Sequence, residues 1–313
     1  DVVALIPQGK GGYRDLKEMM AFVSNDKNMQ QLFQRGVKDA YFPTDKFSIP
    51  VDSATVFGNG TLSAKDTTWL RSLDWQVRKQ VLLKNHLMVL DLLANNNWER
   101  PIYFAVTTGP DSYINLQEHF QLEGLTYRVV PVRTENRDPN LQGRVATDVM
   151  YRNVTEKFLW GNMDTEGFIY LDENILRMTT NLRLQLSSLA EALIGEGREE
   201  EARTILDLSL NKMPERNVPF DRILLPTVEA YYAIGDVEKA NALSERLFAI
   251  MEENMLYYTS LEPKFAKQMD QEMAISHAVM GRLMSETSKA DSTLGKAMEE
   301  RFSTVEEIYQ SKL

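Results

Sequence analysis

The chain has 313 residues, of which 43% are hydrophobic and 26% charged, and its formal net charge is −10. This composition is typical of a water-soluble globular protein, and the length favours two domains. The negative charge disfavours nucleic acid as a partner, because phosphate backbones would be repelled. No stretch reaches the roughly 20 apolar residues of a transmembrane helix, and the absence of cysteine excludes disulfides and thiolate metal sites.

The first part of the chain mixes helical and extended patterns. Apolar residues at steps of three and four predict helices over 13–25 and 29–33. A β-prone stretch over 41–56 is interrupted by Pro43 and Pro50, which favours extended segments followed by a turn at 58–60. We expect these elements to form one face of a mixed domain.

A second helical pattern covers 66–95 and ends at three asparagines, which favour helix termini. Its expected core residues are Trp69, Leu70, Leu73 and Trp75. Strands are predicted over 102–107 and 127–132, with a helix candidate over 113–122 between them. Because a helix between two strands is typical of a right-handed crossover, we expect an α/β layer here.

The boundary between the two predicted domains lies near residue 177. Before it come an exposed polar loop over 133–143, a helix over 145–160 and a short strand over 168–171. The predicted domains are therefore an α/β domain over 1–177 and a helical domain over 178–313.

An internal repeat marks the second part of the chain. The pattern that starts at Gly197 and reaches Ala202 returns from Gly235 to Ala240. Its spacing is typical of tetratricopeptide helix-turn-helix units, in which the glycine allows a tight turn and the alanine lets two helices approach. A third helical pair is expected over 264–286 and 293–312 as a capping unit. The predicted fold class is α+β overall, an N-terminal α/β domain followed by a C-terminal all-α domain of tetratricopeptide-like repeats.

One group of side chains around the junction after the three asparagines is a candidate binding surface. Aromatic faces and guanidinium groups suit sugar or phosphate recognition, and the group consists of Trp98, Arg100, Tyr103, Tyr127 and Arg128. A framework role is the alternative, in which Trp98 fills the core and Arg100 pairs with Asp91 or Glu123.

Tyrosine pairs in the repeat region are candidates for partner binding, because tyrosine often anchors protein interfaces. We name Tyr232 and Tyr258 as the candidate members, since at least one of each pair is expected in the core.

No cofactor or metal is predicted. The histidines His86, His119 and His277 lack neighbours at metal-ligand spacing. The glycine-rich stretch over 9–12 lacks the spacing of a phosphate-binding loop, and no serine or carboxylate pattern predicts a catalytic residue.

Four sequence blocks carry a resemblance to a known family: 41–52, 95–105, 123–131 and 170–175. Together they resemble the soluble C-terminal region of bacterial membrane proteins of glycosyltransferase family 117. These proteins are distantly similar to eukaryotic transmembrane O-mannosyltransferases that end in tetratricopeptide repeats. The start at Asp1, without methionine or signal segment, is consistent with a chain that begins inside a longer gene product.

The resemblance implies where the chemistry takes place. A lipid-linked sugar donor and a catalytic acidic residue would belong to a membrane domain, and no catalytic residue is transferred to this chain. The chain would lie on the periplasmic side of the inner membrane, contact its own membrane domain, and bind or position an acceptor protein or glycan. The competing hypothesis is a stand-alone interaction scaffold that uses the tetratricopeptide-like repeats. A soluble sugar-processing enzyme is a third possibility, which requires two carboxylates in one pocket.

Overall fold

Two units make up the chain in a computed structural model that describes residues 2–9, 11–33, 36–135 and 142–311. The units are Asp1–Ala146 and Thr147–Leu313, so the boundary predicted near residue 177 lies inside the second unit. Two predicted features, Lys10 of the glycine-rich stretch and residues 136–141 of the polar loop, lie outside the described residues.

The first unit combines short strands with three α-helices. Its strands and helices, in chain order, are β1 (Val2–Leu5), β2 (Arg14–Asp15), α1 (Leu16–Val23), β3 (Tyr41–Phe42), β4 (Lys46–Pro50), α2 (Ser53–Gly58), β5 (Ser72–Gln76), β6 (Val81–Leu83), α3 (Lys84–Asn95), β7 (Tyr103–Ala105), β8 (Phe120–Leu122), β9 (Thr126–Val129) and β10 (Arg144–Val145). The helix predicted over 13–25 is confirmed as α1. The extended segments predicted over 41–56 are confirmed at β3 and β4, but the prediction is wrong for residues 53–56, which belong to α2. The helix predicted over 29–33 is wrong, since Gln30 instead pairs with Asp39 in an isolated β-bridge.

These strands form three small sheets, with the orders β3-β1-β6, β2-β4-β5 and β10-β8-β9-β7. The antiparallel pair β4 and β5 contradicts the helix predicted from residue 66, because the first helix of that stretch begins at Lys84. Leu73 and Trp75 are buried while Asp74 and Gln76 are exposed. This alternation has the period of a strand that covers a core with one face.

The predicted parallel crossover is also wrong, because β7 pairs with β9 in the antiparallel sense. The stretch expected to be a helix contains two short 3₁₀ turns, Pro110–Tyr113 and Gln117–His119, followed by β8. Ile114 and Asn115 between them have left-handed φ values of 45° and 65°. A right-handed helix cannot pass through residues with that geometry.

The second unit contains α4 (Thr147–Arg152), α5 (Glu173–Gly195), α6 (Glu199–Lys212), α7 (Leu225–Ala233), α8 (Val237–Ser260), α9 (Pro263–Ala266), α10 (Asp270–Ala290) and α11 (Ser292–Gln310). Every regular element among its described residues is helical, so the predicted α+β class is confirmed. The strand predicted over 168–171 is wrong. Phe168 and Tyr170 are 78% and 81% exposed, and in the described part of the second unit no strand is available to complete a hydrogen-bond ladder with them.

Two helical hairpins of this unit share the same turn chemistry. Gly197, between α5 and α6, and Gly235, between α7 and α8, have φ values of 75° and 73°, which favour glycine. Ala202 and Ala240 are fully buried, as expected where two helices pack closely. Within the described residues, none of the helices combines the length and the apolar character that crossing a bilayer requires.

Arg183 on α5 is fully buried in this helical unit. Its Nη2 donates to the carbonyl oxygens of Met213 at 2.7 Å and Val218 at 3.3 Å, and its guanidinium lies 5.0 Å from the ring centre of Phe220. Burial lowers the pKa of Arg183 to about 10, so it stays charged at neutral pH. These contacts hold the connection after α6 against α5.

Candidate functional site

Trp98 anchors the junction between α3 and β7. Its ring is 8% exposed, its Nε1 donates to the carbonyl oxygen of Pro50 at 2.8 Å, and its own carbonyl accepts from Asn59 Nδ2 at 2.6 Å. Asn97 and Trp98 both have left-handed φ values, 48° and 61°, which are uncommon outside glycine and need support from their surroundings. These bonds support the framework alternative for Trp98.

The space beside Trp98 is small. The hollow between Trp98, Arg100 and Ile102 has a volume of about 10 Å³, which is room for about one water molecule. The Arg100 side chain is exposed and forms no hydrogen bond or ion pair among the described residues, so neither Asp91 nor Glu123 pairs with it there. Within the described residues, Arg100 therefore has an unpaired guanidinium beside a hollow of only about 10 Å³.

Tyr127 and Arg128 lie on opposite faces of β9. The Tyr127 ring is 3% exposed and stacks on Phe120, with ring centres 5.4 Å apart and planes 13° apart. Phe104 and Tyr113 complete this aromatic cluster. The cluster forms the apolar face of the sheet β10-β8-β9-β7.

The other face of this sheet carries a row of polar side chains, here called the sheet network. Arg144, Gln121, Arg128 and Tyr103 occupy directly opposed positions on the four strands. Glu123 accepts hydrogen bonds from Tyr103 Oη and Gln121 Nε2, both at 2.8 Å, and lies 3.6 Å from Arg128 Nη1. Burial and Glu123 raise the pKa of Tyr103 to about 12.

The sheet network extends to the segment that precedes β5. Arg128 Nη2 donates to Thr61 Oγ1 at 2.8 Å, and Arg144 Nε donates to Gln121 Oε1 at 2.8 Å. Arg128, Gln121 and Thr61 are all buried. Since its groups bond one another inside the protein, the network holds the sheet and this segment together.

A polar cleft of about 350 Å³ opens elsewhere in the first unit, along β5 and the turn before β8. Its lining includes Trp75, Arg78, Asn115, Gln117, His119 and Arg133. Sequence reasoning placed Trp75 in a helical core and His119 in a structural role, so it did not bring these residues together. The alternation of apolar and polar residues over 72–76 was the signal that could have placed Trp75 on a strand.

Charges in the cleft are balanced. Arg133 Nε donates to Glu118 Oε2 at 2.6 Å, and Asp74 Oδ1 accepts from Ser72 Oγ at 2.8 Å. Arg78 and Arg133 thus face two carboxylates, those of Asp74 and Glu118.

His119 is buried beside the cleft, with 2% of its surface exposed, and burial lowers its pKa. Its Nδ1 lies 3.2 Å from the carbonyl oxygen of Val132. Because a carbonyl can only accept, Nδ1 carries the proton and Nε2 is an acceptor. The imidazole is neutral at pH 7.

Trp75 is the one tryptophan among the described residues whose buried indole nitrogen has no hydrogen-bond partner. Its ring is 4% exposed, lies 5.6 Å from Phe47 and lines the cleft. An unsatisfied buried N–H is costly, and no solvent reaches this nitrogen, so the cleft does not extend to it.

A second hollow of about 360 Å³ shares Gln76 with the cleft and is lined by Gly9, Gly11, Gly12 and Lys46. Gln76 Nε2 donates to Asp45 Oδ2 at 2.6 Å, and Lys46 Nζ to the carbonyl oxygen of Gly11 at 3.4 Å. The glycine-rich stretch therefore borders a space next to the cleft.

Residues 3–149 match a protein-family model described as TMEM260-associated domain 2. The matched region corresponds to nearly all of the first unit and slightly less than half of the 313 residues. No curated protein and no solved structure matches the chain. The sheet network and the cleft both lie inside the matched region.

Tyr232 and Tyr258 lie outside that region, in the helical unit. Tyr232 Oη donates to Asn241 Oδ1 at 2.8 Å and lies 2.9 Å from Thr287 Oγ1. Tyr258 is half-buried against the core formed by α7, α8 and α10, and burial raises its pKa. Tyr257, at 61%, is the more exposed member of its pair.

The histidines have protein partners. His86 Nδ1 accepts from the Leu83 backbone N–H at 3.1 Å, so its Nε2 donates to Asp111 Oδ2 at 3.0 Å. His277 bonds Glu306 and packs 4.8 Å from the ring centre of Phe302. No group of three or more potential metal ligands occurs in the part of the chain that the structure describes.

Proposed function

We propose that the chain is a non-catalytic, extramembrane region of a membrane protein of the O-mannosyltransferase-like type, where it binds or positions an acceptor. The match of residues 3–149 to a TMEM260-associated domain carries this proposal, because TMEM260 is an O-mannosyltransferase-like protein. A second domain of such a protein would act beside the reaction centre.

The chemistry of the cleft supports binding rather than catalysis. A carboxyl group that acts as a general acid must hold a proton near neutral pH. Glu118 instead accepts a hydrogen bond from Arg133 Nε at 2.6 Å. Asp74 accepts a hydrogen bond from Ser72. Both groups are arranged as acceptors for a ligand.

The finer proposal is that the parent protein resembles bacterial glycosyltransferase family 117 and is attached to the inner membrane, with this region on the periplasmic side. Its own membrane domain would then be the first partner. Arg100 and Tyr103, whose side chains are exposed, are the members of the predicted binding group that such a partner could reach.

An interaction scaffold with tetratricopeptide-like repeats is the alternative. It is supported by the two hairpins with equivalent turn glycines and buried alanines at Ala202 and Ala240. The exposed Tyr257 of α8, with the half-buried Tyr258 beside it, would then contact a protein partner.

The test compares the complete gene product with this chain alone. We expect several apolar segments of about 20 residues upstream of Asp1, and sugar transfer by membranes that hold the complete protein. The isolated chain should neither transfer nor hydrolyse glycosides. Deleting the chain from the complete protein should reduce transfer to the acceptor more than binding of the donor.

Two results would contradict the proposal. Turnover of a glycoside by the isolated chain would make this region an enzyme. A gene that encodes only a signal peptide before Asp1 would favour the scaffold.

A further inference from the structure

We propose that residues 166–172, in the connection before α5, dock an extended peptide segment of a partner protein that carries arginine at alternate positions. This inference goes beyond the proposed function and does not depend on it. The segment belongs to the helical unit and lies outside the residues that match the family model. Sugar transfer by the parent protein and peptide docking at this segment are therefore tested separately.

Every second side chain of this segment is exposed and either acidic or aromatic. These side chains, here called the alternating stripe, are Glu166, Phe168, Tyr170 and Asp172. Residues 169 and 171 between them are half-buried. A period of two is typical of extended backbone, in which every second side chain lies on the same side. The stripe therefore presents two aromatic rings between two carboxylates.

The two aromatic residues of the stripe are unusually exposed. Phe168 and Tyr170, at 78% and 81%, are more exposed than any other aromatic residue that the structure describes. Neither ring stacks on another ring, and the Tyr170 hydroxyl has no hydrogen bond, within that part of the chain. Because aromatic residues are enriched at protein interfaces and often anchor them, the two rings favour a surface that a partner covers.

Hydrogen bonds hold the segment in place. Asn217, in the connection after α6, is 3% exposed and donates from Nδ2 to the carbonyl oxygen of Thr165 at 3.1 Å. Its Oδ1 accepts from the Ile169 N–H at 3.2 Å. At the other end, Asp172 Oδ1 accepts from the Ile175 N–H at 2.9 Å and caps α5. Since the segment is ordered before a partner arrives, docking loses little conformational entropy on this side.

The backbone of the segment is also available to a partner. Within the described residues, no hydrogen bond joins the backbone of residues 168–171 to another backbone group, and the Ile169 N–H bonds the Asn217 side chain instead. An extended peptide can pair with such groups by β-strand addition. Because the described part of this unit contains no strand, the pairing strand would come from a partner.

The charge around the stripe selects a cationic peptide. Residues 166–177 contain three acidic side chains, Glu166, Asp172 and Glu173, and one basic side chain, Arg177, which leaves a local charge of −2. Arg177 bonds the Asn174 side chain. Guanidinium groups pair with carboxylates and stack on aromatic rings, so arginine matches both kinds of side chain in the stripe better than lysine does.

The same charges disfavour the other occupants of an exposed aromatic surface. A second copy of this chain brings the same acidic stripe and a net charge of −10, and like charges repel. An anionic lipid surface attracts basic segments and is repelled by this acidic one. A basic peptide meets neither penalty.

Fluorescence anisotropy of labelled peptides titrated with the full chain tests the inference. The probe is a short peptide in which arginine alternates with threonine, and the comparison peptides carry lysine or glutamate in place of arginine. We expect the arginine peptide to bind most tightly, the lysine peptide to bind more weakly, and the glutamate peptide not to bind. Added salt should weaken binding of the arginine peptide, because salt screens ion pairs at a surface.

Variants locate the docking site. The double variant Phe168→Ser/Tyr170→Ser changes only exposed positions and should weaken binding of the arginine peptide about tenfold. Glu166→Gln should weaken it about twofold. The matched controls are Tyr257→Ser, at a tyrosine that is 61% exposed, and Glu307→Gln, at an exposed glutamate of α11. Both controls should bind as tightly as the unmodified chain.

Four outcomes would overturn the inference. The arginine peptide fails to bind at a chain concentration of about 1 mM, or the glutamate peptide binds equally well. The double variant keeps full affinity, or Tyr257→Ser loses affinity while the double variant does not, which would place the peptide on α8.

Vesicle flotation separates a lipid surface from a peptide. The unmodified chain should not float with vesicles of phosphatidylcholine alone or of phosphatidylcholine with phosphatidylserine. Flotation that is lost in the double variant would assign Phe168 and Tyr170 to a membrane surface and contradict the peptide assignment.

Discussion

Trp98 and Trp75 occupy two regions of the same unit and differ in the hydrogen bonding of the indole nitrogen. Both are nearly buried, at 8% and 4% exposure, but Trp98 Nε1 donates to Pro50 whereas Trp75 Nε1 has no described partner. The hollow at Trp98 has about 10 Å³ and the cleft at Trp75 about 350 Å³. Burial alone therefore does not distinguish the two tryptophans, which differ in hydrogen-bond satisfaction and in the volume of the neighbouring space.

Trp98→Ala should have the largest effect on stability. Truncating a buried tryptophan to alanine lowers the free energy of unfolding by about 3 to 5 kcal/mol, and here it also removes the bond to Pro50. Urea unfolding should show a lower midpoint. An unchanged midpoint would contradict the framework role of Trp98.

Replacing each tryptophan by phenylalanine separates the two indole nitrogens. Trp98→Phe leaves the buried Pro50 carbonyl without its donor, which costs about 1 to 3 kcal/mol. Trp75→Phe breaks no hydrogen bond within the described protein. The free energy of unfolding should therefore fall by clearly less in this variant than in Trp98→Phe. Equal losses in paired urea titrations would mean that the two nitrogens are equivalent and would remove the basis of the comparison.

Acid should affect the cleft through His119. Burial lowers the pKa of His119 from 6.5, with Glu118 and Asp74 favouring the proton and Arg133 opposing it. On acidification the unfolded chain takes up this proton first. The stability that the neutral imidazole contributes is therefore complete above about pH 6.5, and it is lost as the pH falls to the pKa that His119 has in the folded protein. His119→Gln should flatten this part of the stability profile, measured by thermal unfolding from pH 7.5 to 5. An unchanged slope would contradict the neutral assignment.

Arg100→Ala should have the smallest effect. The side chain is exposed and unpaired among the described residues, and such substitutions usually change stability by less than about 0.5 kcal/mol. Urea unfolding should give the same midpoint as the unmodified chain. A clearly lower midpoint would contradict the assignment of Arg100 as unpaired.

The helical unit was more predictable from sequence than the mixed unit. Turn glycines and apolar periodicity are local signals, so the hairpins around Gly197 and Gly235 were predicted together with their buried alanines. In the first unit the strand pairing depends on distant residues, and Leu73 and Trp75 fit a strand only through alternation with Asp74 and Gln76. The unexpected turn at Ile114 and Asn115 rests on left-handed geometry that neither residue type requires.

The candidate sites also depend on contacts between distant residues, which local sequence signals do not predict. Trp98, Arg100, Tyr103, Tyr127 and Arg128 are close in sequence, but strand alternation sends Tyr127 and Arg128 to opposite faces. The cleft joins β5 to the turn Gln117–His119 and to Arg133, both of which follow β5 by about 40 residues or more along the chain. Sequence spacing could not bring them together, because tertiary packing creates that proximity.

The indole N–H resonances of the chain test the central claim most directly. The sequence contains four tryptophans, and Trp→Phe variants would assign each signal in a ¹⁵N spectrum. We expect the Trp98 proton signal to lie downfield of the Trp75 signal, because Trp98 Nε1 donates a hydrogen bond and Trp75 Nε1 has no described partner. A Trp75 signal downfield of the Trp98 signal would contradict the account.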